Sequence, residues 1–126
     1  MRPLRVYLLD TGGCGACAAE VWTTVESSPE LAWAPGPRRA DVVVLTGSLP
    51  AVCHETILAL YEQLWRGRVP VVAAGRCAVD GYPFQAGGVR ALKELDVAGK
   101  IDVCPPLPEL ILDLLQAVST GHGTAR

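Results

Sequence analysis

The 126-residue chain has little excess of charge, since eleven lysines and arginines stand against thirteen acidic residues. Its basic residues are scattered, with Arg38-Arg39 the only adjacent pair, so no patch favours nucleic acid or an anionic membrane. Long hydrophobic runs are missing too. No apolar stretch approaches the ~20 residues that cross a bilayer. The apolar run near the amino terminus is too short for a secretion leader and has no small-residue cleavage site after it. These absences predict a cytoplasmic protein. There is no internal repeat and no dividing linker, which predicts a single domain over residues 1–119 and a flexible polar tail over 120–126. The complete nucleotide fingerprints are absent as well. No Lys-Ser or Lys-Thr pair opens the first helix, and no Gly-x-Gly-x-x-Gly follows the first strand.

What is present is a dense alternation of apolar runs and amphipathic stretches, half of the residues being hydrophobic. Leu4–Leu9 reads as a buried strand stopped by Asp10 and glycines, and Cys17–Ser27 as a helix ended by Ser28-Pro29. Leu31-Ala32-Trp33 fits a short second strand. Asp41–Thr46 is continuous and β-branched, as in a parallel strand covered on both faces. Ser48 is expected to cap a helix reaching about Arg66, with Val52, Ile57, Leu60, Tyr61 and Leu64 inward. Val69–Ala74 makes the next strand, residues 75–88 a loop, and Val89–Leu95 a short helix. Ile101–Val103 is the expected last strand. A final helix follows from Pro106 or Pro108 to about Ser119, with Ile111, Leu114, Leu115 and Val118 inward. Strands alternating with helices predict an α/β fold, a three-layer flavodoxin-like parallel sheet with helices on both faces.

Five cysteines remain to be explained. Cys14 and Cys17 lie in the glycine-rich turn after the first strand, and Cys77 and Cys104 follow two later strands. In such sheets ligands bind beyond the carboxyl ends of the strands, so all four fall at one edge. Four thiolates suit an iron–sulfur cluster, which is the favoured reading. A zinc site and a redox dithiol stay open, although zinc ribbons carry two short-spaced pairs and a dithiol needs neither Cys77 nor Cys104. A further alternative uses residues 11–15 and 46–48 to cradle a phosphate or flavin. Cys53 is expected to be a small buried apolar residue and His54 an ordinary surface histidine. Trp22, Trp33 and Trp65 suit either core or interface.

Four stretches in order resemble the small, iron–sulfur subunit of nickel–iron hydrogenases and its homologue in respiratory complex I. They are Cys14–Glu20, Ala40–Gly47, Val71–Phe84 and Asp102–Glu109. The Cys14-x-x-Cys17 spacing is similar to the hydrogenase branch, including its membrane-associated energy-converting type. The chain departs from the family pattern at Val103 and Ala16, where glycine is usual. The resemblance implies one proximal 4Fe–4S cluster held by Cys14, Cys17, Cys77 and Cys104. It implies an electron-transfer subunit of a multisubunit oxidoreductase with no complete active site of its own. The implied partners are a hydrogenase-like or complex I-like large catalytic subunit, with further ferredoxin-like and membrane subunits that place the protein peripherally on the inner membrane face. It also gives Glu20 a role in proton movement. The plainer reading of Glu20 is a first-turn glutamate favoured by the helix dipole. Thr46 and Asp80 are expected to shape the loops beside the cluster.

Overall fold

The structure is a computed structural model and describes residues 2–12, 15–81, 87–103 and 105–125. Five strands form one all-parallel sheet: β1 (Leu4–Asp10), β2 (Leu31–Trp33), β3 (Val42–Thr46), β4 (Val71–Ala74) and β5 (Val97–Ile101). Their order is β2-β1-β3-β4-β5, which is the flavodoxin-like arrangement, with its reversal of strand order between β1 and β3.

The period-2 alternation of strand side chains builds the two flanking layers. Val43 and Leu45 of β3, with Val71 and Ala73 of β4, point to one face. There they meet Ile57 of α2 (Ala51–Leu60), Tyr61 and Trp65 of the π turn that continues it (Tyr61–Trp65), and Ala78 and Val79 of α3 (Arg76–Asp80). Val42 and Val44, with Val72 and Ala74, point the other way. They meet Val21 and Val25 of α1 (Ala16–Ser27) and Ile111 and Leu115 of α4 (Pro108–Ala125). All of these side chains are buried, so β3 and β4 are sealed on both sides.

Several boundaries differ from expectation, each for a local reason. The last strand is β5, which ends at Ile101 where the expected strand Ile101–Val103 begins. Its sequence Val97-Ala98-Gly99-Lys100-Ile101 shows little apolar character because it is an edge strand with exposed Ala98 and Lys100. Residues 76–80 form α3 rather than loop, and Cys77 is the second residue of that helix. The turn at Gly88–Ala91 is 3-10 and shorter than the expected helix. Ser48 does not cap α2. Pro50 occupies the cap position without a side-chain bond, and the Ser48 N–H donates instead to the Gly12 carbonyl at 2.9 Å. Val52 faces outward at 86% exposure rather than inward. The last helix runs to Ala125, beyond the expected end near Ser119. Trp65 is core, fully buried with its indole N–H donating to the Pro37 carbonyl at 3.0 Å. Trp22 is exposed and packs on Trp33 with ring centroids 5.0 Å apart. Cys53 is half-buried against the α2-side core, as a small apolar residue would be.

Candidate functional site

The carboxyl ends of β1, β3 and β4 open onto one narrow cleft lined by Asp10, Gly15, Cys17, Ala18, Thr46, Gly47 and Cys77. Cys17 is the second residue of α1 and Cys77 the second residue of α3, and both are buried. Helix α1 starts from Gly15, whose φ of 83° turns the chain back over the strand ends.

Strands β1 and β4 are not neighbours; β3 lies between them, so their axes stand roughly 10 Å apart. Cys17 nevertheless reaches across the end of β3 to β4. Its thiol packs so closely on Gly75 that a Cβ at that position would overlap Cys17 Sγ and stand 3.1 Å from Cys17 Cβ. The Val103 carbonyl lies 3.9 Å from the same point. Gly75 itself has a φ of 98°, and its N–H donates to the Ile101 carbonyl at 2.9 Å. Three segments distant in sequence, led by Cys17, Gly75 and Val103, therefore meet at one glycine. Cys14 and Cys104 lie outside the described residues, as do Pro83 and Phe84 of the expected loop.

The loops after β1 and β3 are tied together at the reversal of strand order. Thr11 donates to the Thr46 carbonyl through both its N–H (2.9 Å) and its hydroxyl (2.8 Å). Its Oγ1 accepts from the Leu49 N–H at 3.0 Å. Asp10 Oδ1 accepts from the Thr46 hydroxyl at 3.0 Å and from the Gly12 N–H at 3.3 Å. A side chain at Gly47 would stand 2.6 Å from Gly12 N and O, which is why the two loops can touch only through glycine. This network bears on the phosphate reading. The N–H groups of Thr11, Gly12, Ser48 and Leu49 already have protein acceptors, and a carboxylate sits among them. A phosphate would find no free donor from these four and a like charge nearby.

Leu49 is the only non-glycine with positive φ among the described residues, at 53°. His54 steadies it by donating from Nε2 to the Leu49 carbonyl at 2.7 Å, so this histidine supports the loop. Thr46 is buried and shapes the cleft as expected; Asp80 forms an ion pair with Arg76 at 3.8 Å. Glu20 is half-buried one turn beyond Cys17, but it is the fifth residue of α1. It therefore sits beyond the first turn, where the dipole argument for it weakens. Asp10 is a cleft residue that the residue pattern marks only as a strand terminator. The available signal was its position, an acidic residue at the carboxyl end of β1 immediately before the cysteine-bearing turn.

A family model described as NADH ubiquinone oxidoreductase, 20 Kd subunit, matches residues 14–118. The chain belongs to this family. A protein of Methanocaldococcus jannaschii is 30% identical over 94% of this chain and 84% of its own length. An NADH-quinone oxidoreductase subunit from Carboxydothermus hydrogenoformans is 32% identical over 81% of this chain. This chain spans 66% of that relative, just under two thirds of its length. Among solved structures, a chain of the membrane-bound sulfane sulfur reductase, an archaeal respiratory membrane complex, superposes with a TM-score of 0.72. It is 19% identical over 96% of this chain and 71% of that one, a likeness of fold. No described helix is long and apolar enough to cross a membrane.

Proposed function

We propose that this chain is an electron-transfer subunit of a complex I-like or hydrogenase-like oxidoreductase. In this reading one 4Fe–4S cluster is held by Cys14, Cys17, Cys77 and Cys104. The supporting observation is the convergence at Gly75. The Cys17 thiol and the Val103 carbonyl both approach this one glycine, which precedes Cys77 by two residues. Cys14 and Cys104 belong to the same segments by sequence, immediately before Gly15 and immediately after Val103. A set of soft thiolates matches what iron–sulfur clusters take. When bound, such a cluster takes up and returns single electrons.

The chain's own residues supply the surroundings. Gly75 leaves room for the Cys17 thiol, and the Thr11–Thr46–Leu49 bonds hold the turn before α1 at the sheet edge. Four large apolar residues are exposed where the chain leaves β3 and β5: Val52, Val103, Leu107 and Leu110. A partner large subunit carrying the active site covers that edge in this reading, and other subunits attach the assembly to the membrane. Glu20 is the proton relay, so Glu20→Gln keeps iron content and slows only proton-coupled turnover.

Anaerobic purification with co-expressed neighbouring subunits tests the proposal. The expected product is brown, with about four irons per chain, and Cys17→Ser or Cys77→Ser loses colour and iron. A colourless or zinc-loaded wild-type protein overturns it.

A further inference from the structure

Asp10 lines the cleft with Cys17 and Cys77, and its carboxylate is fixed there. Its Oδ1 accepts from the hydroxyl of Thr46, which is itself buried, and from the Gly12 N–H. The arginine ion pairs among the described residues are made elsewhere, with Asp41, Glu62 and Asp80. We infer that Asp10 is a potential-setting residue, a fixed negative charge that lowers the reduction potential of the group held by Cys17 and Cys77. The inference rests on the cluster reading above.

The physical reason is Coulombic. Reduction adds an electron at the thiolate-bound centre, and a carboxylate sharing its cleft disfavours that addition. Net charge and solvent exposure are among the properties that set such potentials. Asp10 is exposed, so solvent and salt screen its effect until the edge is covered. The two hydrogen bonds matter because they hold the charge at one place rather than letting it swing into water. Thr46 and Gly12 can also donate to an amide oxygen, though more weakly than to a carboxylate, so Asp10→Asn removes the charge while keeping an acceptor.

The test is a redox titration of the anaerobically purified full-length protein with its partner subunits, followed by electron paramagnetic resonance. Iron is assayed on every sample. The expected result is a higher potential in Asp10→Asn, by about 59 mV for a one-electron couple if the ratio of reduced to oxidised form at a fixed potential rises tenfold. Asp10→Ser, a second uncharged variant, rises likewise, and Asp10→Glu stays with the wild type. An unchanged or lower potential in an uncharged variant that retains iron overturns the inference. So does an Asp10→Glu protein that titrates with Asp10→Asn. Loss of iron from both uncharged variants also overturns it, because the carboxylate would then serve to hold the loop. Absence of iron from the wild type overturns the cluster reading instead, so the two failures are distinguishable.

Discussion

Gly75 combines two constraints that separate positions usually bear. Its φ of 98° disfavours any side chain, and the space where a Cβ would stand is taken by the Cys17 thiol. Gly75→Ala should therefore destabilise the fold by about 1–3 kcal/mol from backbone strain alone, and should lower bound iron by displacing Cys17. Urea denaturation measures the first and an iron assay the second. Wild-type iron content in a destabilised Gly75→Ala would separate strain from displacement and show that the added methyl does not move Cys17 out of the site. The glycine is visible in the sequence as a strand terminator. Its closeness to Cys17 is not, because that contact crosses an intervening strand and depends on how far the turn before α1 leans over the sheet edge, which residue pattern does not encode. Asp10 is hidden for a similar reason. One acidic residue after an apolar run looks like a solvated end until the neighbouring strand brings Thr46 to its carboxylate.

Among the elements, the strands buried on both faces and the short edge strand β2 were legible, and the opposite edge, β5, was not. β3 is five buried residues in succession, β-branched but for Leu45, a pattern that suits a covered parallel strand. β5 alternates half-buried and exposed residues and contains Gly99, where a Cβ would stand 2.6 Å from a Leu114 methyl. Close packing against α4 requires glycine there, at the cost of the β signal. The five-residue α3 is too short for a periodic stripe, so Cys77 reads as a loop residue. The π turn after α2 is a different case. It brings Tyr61 and Trp65 into the core, and Tyr7 packs on the Trp65 ring with centroids 6.0 Å apart. Trp65→Ala should cost about 3–5 kcal/mol, read as a lowered midpoint of chemical denaturation. The adjacent Glu62–Arg66 pair should matter little. Arg66 holds the Glu62 carboxyl below its ordinary range, so any contribution is present at neutral pH and fades as pH falls through that lowered value. Both side chains are exposed, so salt screens it.

Over the whole molecule, the two faces of the sheet are covered by helices while the carboxyl edge keeps exposed apolar residues. Leu107→Glu places a charge on that edge without touching the core. It should leave folding stability within about 0.5 kcal/mol of the wild type and weaken association with the partner subunit at least about tenfold, as an interfacial anchor does. Co-purification yield and a binding titration measure the loss. Unchanged association would move the partner to another face.

The bond from the Gly75 N–H to the Ile101 carbonyl has a consequence for biogenesis. A growing chain emits Cys14, Cys17 and Cys77 before β5 exists to anchor Gly75. During that interval these three thiols meet the cell without their final neighbours, and under the cluster proposal metal insertion waits for the last strand. Disulfide formation is the competing fate of such thiols. Maturation of this protein is then a race between completing one edge strand and oxidising the cysteines that depend on it.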